Sequence, residues 1–223
     1  MSKIVILDGG PRKTMNTAQM IEAFKQGVQS VSDQIEIQHV RLYDLNYKGC
    51  MSCMACKVKG KASNICCFKD ELKPVLDEVA YADGIVLASP IYMGETTAML
   101  HAFLERWTFP WLSYKDYSNT PPKHLPVVAI YTMNAAPEQM SFVEKGVGMS
   151  EWVIQLTMKD FTRICANNTY QVKNYDRYEF ADGQAERKQA YKDAHWEEDL
   201  AKAREAGKRM AEKIELSQGR QVR

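Results

Sequence analysis

The chain has 223 residues, 45% hydrophobic and 26% charged, enough to build a sizeable folded core as one domain over 1–223. Its 29 Lys and Arg nearly balance 28 Asp and Glu, so no field favours nucleic acid or an anionic membrane surface. No apolar run reaches the length of a membrane span, and the N-terminus leads into a strand with no signal-peptide pattern. The expected setting is the cytoplasm, where six cysteines serve as thiols or ligands.

The first strand is expected at Lys3 to Asp8, where Ile4-Val5-Ile6-Leu7 is apolar at consecutive positions, the pattern of a strand buried on both faces. Gly9-Gly10-Pro11-Arg12-Lys13-Thr14-Met15-Asn16-Thr17 follows, and a helix is expected from Asn16 to Ser30 with Met20, Phe24 and Val28 repeating every four residues. A strand, a tight turn carrying two cations and a helix N-terminus make an anion site. The spacing is neither the dinucleotide fingerprint nor the nucleoside-triphosphate loop, which favours a phosphate monoester; an ordinary βα turn with solvated charges is the alternative.

A second strand, Gln34 to Arg41, alternates like an edge strand. A cysteine-rich loop, residues 49–68, precedes a helix capped by Asp70 and carrying Leu72, Val75, Leu76 and Val79. The third strand, Gly84 to Ala88, ends in Ser89-Pro90-Ile91-Tyr92-Met93-Gly94. The next helix carries Met99, Phe103 and Trp107 on one stripe. An aromatic and proline-rich insertion, 108–125, then holds Phe109, Trp111, Tyr114 and Tyr117, a group dense enough to form a lid or a subunit contact. A fourth strand at Val127 to Thr132, one or two helices between Pro137 and Phe161, a fifth strand near Arg163 to Asn167 and a long polar helix from Gly183 to Leu216 complete the order. Strands alternating with helices predict an α/β doubly wound five-stranded parallel sheet of order 2-1-3-4-5, with helices on both faces and the ligand at the carboxyl ends of strands 1, 3 and 4.

The run Gly9 to Thr17, the loop Ser89 to Gly94, the helix ending Phe103-Leu104-Glu105-Arg106 and the Cys50-x2-Cys53-x2-Cys56 loop together resemble the NADPH-dependent FMN reductase family, in the branch that includes the iron–sulfur flavoproteins. The resemblance covers the chain to about residue 180. It implies a flavodoxin-like fold and bound FMN, with Gly10, Pro11, Arg12, Lys13, Asn16 and Thr17 at the phosphate. Ser89, Pro90, Ile91, Tyr92, Met93 and Gly94 would lie along the isoalloxazine edge, and Thr132 and Asn134 on its other side. No protein acid or base is required beyond the flavin. NAD(P)H is the implied co-substrate, a quinone, another small acceptor or a redox protein the partner, and a homodimer or homotetramer the assembly. Gly10 stands where the family has Ser, Met15 where it has Gly, and Asp8 lies close enough to oppose a phosphate.

Cys50, Cys53, Cys56 and Cys66, with Cys67 as the other fourth candidate, suit a [4Fe–4S] cube, a zinc site, or free thiols. The four histidines have no partner at metal-ligand spacing and read as packing or surface residues. Function is expected to be FMN-dependent NAD(P)H oxidoreduction, or else non-enzymatic electron transfer. A phosphoacceptor signalling domain is set aside because strand 3 ends in Ser-Pro.

Overall fold

The computed structural model describes residues 2–158 and 160–219. The outermost positions of the expected 1–223 domain, and position 159 of the expected helical stretch, lie outside the described residues. Five strands form one sheet: β1 (Lys3–Asp8), β2 (Glu36–Arg41), β3 (Gly84–Pro90), β4 (Val127–Thr132) and β5 (Phe161–Ala166). All pairs are parallel and the order is β2-β1-β3-β4-β5, as expected. β3 and β4 are buried throughout and β1 from Ile4 onward, whereas β2 is mostly half-buried, in keeping with its alternating sequence. β5 begins at Phe161, two residues before the expected start, because Val127 pairs with Phe161 and carries the ladder down to that level. Among the described residues, no helix is long and apolar enough to cross a membrane.

Helices α1 (Asn16–Gln29) and α5 (Gln184–Ser217) cover one face of the sheet. Helices α2 (Leu72–Tyr81), α3 (Ala98–Thr108) and α4 (Met140–Met158) cover the other. Helix α5 was expected as a long polar helix. It buries Ala203, Met210 and Ile214 against the sheet, and the charged Lys188, Asp199 and Glu215 besides. Its close partner is α1. A Cβ on Gly27 would fall inside the Arg204 carbonyl, and one on Gly207 inside that of Phe24, closer than real Cβ contacts allow. The two backbones therefore touch, and this crossing presses α5 onto β5 and the lower sheet.

Within the insertion 108–125 the aromatic residues divide between core and surface. Trp111 is fully buried and meets Trp107 edge to face at 4.8 Å, so these indoles complete the core beneath α3 instead of forming a lid. Only Tyr114 and Tyr117 of the group are exposed.

Gly27→Ala is expected to destabilise the fold by about 1–3 kcal/mol or more, because neither helix backbone can yield. Urea denaturation measures the loss, and Gly148→Ala, whose Cβ would meet nothing within 4 Å, is expected to show none.

Candidate functional site

The carboxyl ends of β1, β3, β4 and β5 lie level and are joined by main-chain bonds. Gly9 donates to Ala88 (2.8 Å), Ile91 to Thr132 (2.9 Å) and Met133 to Ala166 (3.0 Å). One threonine that sequence reasoning missed then ties the first and third turns together. Thr97, the N-cap of α3, donates its N–H to Ser89 Oγ (3.0 Å) and its hydroxyl to the Gly9 carbonyl (2.9 Å), and accepts from Leu100 N. Ser89 Oγ in turn donates to Pro90 O (2.7 Å). Ser89 is completely buried, so its hydroxyl belongs to this brace and not to a ligand surface.

The first turn differs from expectation in three ways. The Gly10 N–H is already given to Asp8 Oδ1 (2.7 Å), which removes it as a phosphate donor. Asp8 does not oppose an anion, because its other oxygen meets His39 Nε2 (3.1 Å) and Arg41 (3.2 Å), turning its charge towards β2. The Asn16 amide donates to Tyr170 O (2.7 Å), and Thr17 and Thr132 share a buried hydroxyl–hydroxyl bond of 2.7 Å. These three side chains are fasteners. What remains for an anion is the opening of α1. Met15 stands at its N-cap with no side-chain bond, and the first-turn N–H groups are therefore uncapped. Arg12 and Lys13 are exposed beside them, Arg12 resting on the Gln171 carbonyl, and Pro11 is half-buried.

The third turn is a two-residue reversal. Tyr92 and Glu95 exchange main-chain bonds of 2.8 and 3.0 Å, and both central residues have positive φ, 54° at Met93 and 86° at Gly94. Glycine adopts this region freely; methionine does so at a cost. Met93 is 95% exposed, so the strain holds an apolar side chain in water at the mouth. Tyr92 is exposed and Ile91 half-buried beside it, while Pro90 ends β3 in the buried ladder opposite Thr132. Nearby, the buried Thr96 hydroxyl has no partner among the described residues.

The fourth turn is braced by a segment that carried no motif. Thr169 N donates to Met133 O and Asn168 N to Ala135 O, both at 2.9 Å. Lys188 of α5 reaches Asn168 Oδ1 (2.5 Å) and the Asn134 carbonyl (3.3 Å), leaving the Asn134 side chain exposed. Lys188 is buried, and loss of solvent holds its ammonium down to about 8.

The cysteine loop hangs from α3. Glu105 accepts the Cys50 N–H (2.9 Å), while buried Arg106 grips both loop ends through Lys48 O (3.3 Å), Phe68 O (3.0 Å) and the Asp70 carboxylate. Asp70 also accepts from Leu72 N, as expected of a cap. Ser52 and Met54 are left-handed. Cys50, Cys53, Cys56, Cys66 and Cys67 thereby line one cavity with Arg106 and Phe109. Lys57 Nζ donates to Phe109 O (2.8 Å) and Pro110 O (3.0 Å). The donor types suit a thiolate-bound metal group, and two cations stand by to offset its charge. The thiols are not drawn into a ligand sphere: among the described residues, no three His, Cys, Asp or Glu side chains are gathered to hold a metal ion. Burial of Cys56 pushes its thiol up, against the pull of Lys57. Cys165 is half-buried on β5, its thiol pushed up by burial to about 11.

Two measurements check this geometry. Thr97→Val leaves the Gly9 carbonyl without its donor and is expected to cost about 1–3 kcal/mol in urea denaturation. For Lys188, the unfolded chain holds a proton between about pH 8 and 10.5 that the folded chain has released. Stability is therefore expected to gain a rising contribution with pH across that window, and Lys188→Met to lose it.

A family model described as NADPH-dependent FMN reductase matches residues 2–141. An iron–sulfur flavoprotein of Methanocaldococcus jannaschii is 30% identical over 105 residues, 47% of this chain and 51% of that protein. One from Archaeoglobus fulgidus is 27% identical over 139 residues, 62% and 59%. The chain thus spans about half the length of the curated relatives it matches. Among solved structures, an NAD(P)H:quinone oxidoreductase from Methanothermobacter marburgensis superposes with a TM-score of 0.65 at 15% identity, covering 93% of this chain and 96% of that one. An FMN-dependent NADH-azoreductase from Bacillus anthracis, in complex with FMN, gives 0.64 at 13% identity, covering 94% and 100%. The structural likenesses establish the fold, and the family model, spanning more than half of the sequence, establishes that the chain belongs to the NADPH-dependent FMN reductase family.

Proposed function

We propose that this protein is an FMN-dependent NAD(P)H oxidoreductase. The observation that carries this reading is the junction at the sheet mouth, where an uncapped helix opening flanked by Arg12 and Lys13 is fastened to the positive-φ reversal at Tyr92–Glu95. The phosphate would sit on the first-turn N–H groups of α1, with the two cations neutralising it. The strip Ile91–Gly94 would flank the ring on one side and Asn134 on the other, and the unpartnered Thr96 hydroxyl is a free polar group nearby. The chemistry that FMN supplies when bound is hydride acceptance from a reduced nicotinamide and onward transfer to a quinone, another small acceptor or a redox protein. The chain's own part is to bind, to orient and to hold both turns rigid, for which no acid or base in the mouth is needed.

The cysteine cavity favours a second reading, single-electron exchange with a partner protein. Five cysteines lining one cavity with Arg106 suit a one-electron centre, and the curated relatives carry the name iron–sulfur flavoprotein. Zinc and free thiols remain the competing occupancies of the same loop.

Anaerobic mixing with NADPH separates the two. Rapid bleaching of flavin absorption is expected for the oxidoreductase; a yellow protein that does not bleach points to the carrier. Arg12→Ala with Lys13→Ala is expected to weaken FMN binding by roughly 10- to 100-fold, the worth of a charge-assisted contact. Riboflavin, which lacks the phosphate, should bind both proteins equally. Equal loss for the two ligands would place the phosphate elsewhere.

A further inference from the structure

Lys188 is a buried cation with no anion beside it. The residue is 5% exposed, and among the described residues its ammonium meets two neutral oxygens, Asn168 Oδ1 (2.5 Å) and the Asn134 carbonyl (3.3 Å). Loss of solvent alone weakens its hold on a proton, with no carboxylate pulling the other way. A charge buried without a counter-charge is costly to a fold. A neutral side chain at this position would avoid that penalty, so the lysine points to an anion that the described chain does not itself contain.

The turn that Lys188 touches is built to receive one. The carbonyls of Met133, Asn134 and Ala135 are all held from the side of β5 and α5. Met133 O accepts from Thr169 N (2.9 Å) and Thr169 Oγ1 (3.1 Å), Asn134 O from Lys188, and Ala135 O from Asn168 N (2.9 Å) and Asn167 Nδ2 (3.3 Å). Asn168 adopts a left-handed backbone, φ 50°, and gives both its N–H and its side-chain oxygen to this brace. In a trans peptide the N–H points opposite to the C=O. The N–H groups of Asn134 and Ala135 therefore point away from the brace, and neither has a partner among the described residues. Across β4 from β5 stands β3, with the reversal at Tyr92–Glu95. The fourth turn thus presents successive main-chain donors, an arrangement that favours negative charge. The ammonium on the Asn134 carbonyl polarises the same peptide that carries the Ala135 N–H, which makes that N–H a stronger donor.

We infer that Lys188 is a positioning residue that acts through the Asn134–Ala135 peptide to favour the reduced, negatively charged form of a flavin held at this turn. The inference rests on the FMN reading of the sheet mouth and adds to it a determinant of redox potential. A hydride leaves the nicotinamide C4, breaking a C–H bond and oxidising that ring. It forms an N–H bond at flavin N5, and its electron pair leaves the reduced flavin with one negative charge along N1–C2=O. Arg12 and Lys13 do not discriminate between the two states, because the phosphate charge they face is the same in both. Lys188 meets a charge that exists only after reduction, one peptide group away and in a site where water screens little.

Midpoint potentials of the FMN-loaded full chain, measured by dye equilibration without air, test this in wild type, Lys188→Met and Lys188→Gln. Glutamine keeps a donor for the two oxygens and removes the charge. Both variants should weaken binding of reduced relative to oxidised FMN by at least about tenfold, which lowers the two-electron potential by ~30 mV. Oxidised FMN should bind all three proteins within about twofold. Arg12→Ala with Lys13→Ala, at saturating FMN, should leave the potential where it is. So should Lys192→Met, which removes an exposed cation from the same helix. If Lys188→Met does not fold, Lys188→Gln decides. An unchanged potential in the Lys188 variants overturns the inference while the FMN reading stands. A potential lowered in Lys188→Met and restored in Lys188→Gln assigns the side chain to hydrogen bonding and overturns it as well. A wild type that takes up no FMN removes the FMN reading and this inference together.

Discussion

The mouth of this sheet depends on one side chain, Thr97. Its hydroxyl holds the Gly9 carbonyl and its N–H holds Ser89, so the turn after β1 and the turn after β3 cannot move independently. Parallel strands bring their carboxyl ends level, but they leave the connecting turns free to splay. A buried threonine at the head of α3 removes that freedom with two hydrogen bonds that water cannot compete for. A Cβ on Gly9 would meet the Thr97 hydroxyl at 2.9 Å, which is why the chain has no side chain there.

Charge at the site is managed by the same economy of position. Asp8 would repel an anion if it faced the first turn, but His39 and Arg41 on β2 hold its second oxygen while Gly10 binds the first. Buried Arg106 is committed to the two ends of the cysteine loop, so a helix of the core sets where that loop begins and closes. Lys188 is the cation brought closest to the fourth turn, and it is buried enough that its proton is only loosely held. In each case a side chain whose type suggests ligand binding is held by its partners out of direct contact, and exposed Arg12, Lys13, Met93 and Asn134 are left to meet a ligand.

The sheet order was legible because consecutive apolar residues in β1 and β3, against the alternation in β2, distinguish central from edge strands. The two principal turns were legible because their residue types are restricted by backbone geometry. Less could be read of which polar groups are spent internally. Ser89, Asn16, Thr17 and Thr132 have the composition of a ligand shell, and the structure ties up all four in three bonds, which span 8, 154 and 115 residues of sequence and which no local pattern marks. The segment 167–171, which braces the fourth turn and receives Asn16 and Arg12, has neither periodicity nor motif. Trp107 was legible as core from its helical stripe, whereas Trp111, inside a proline-rich insertion, was not; the short turn Phe109–Trp111 folds back under α3 and buries it against Trp107.

By itself, the sequence determined the α/β alternation, the strand order and the positions of the phosphate-like turn, the Ser-Pro loop and the cysteines, since each follows from hydrophobic period or from residues that only certain backbone shapes accept. Only the tertiary structure decided which hydroxyls and amides are fasteners, how α5 crosses α1 at Gly27 and Gly207, and that Lys188 meets the fourth turn. Those outcomes depend on which distant groups meet once the sheet has formed, and pairings over long separations leave no local trace in a single sequence.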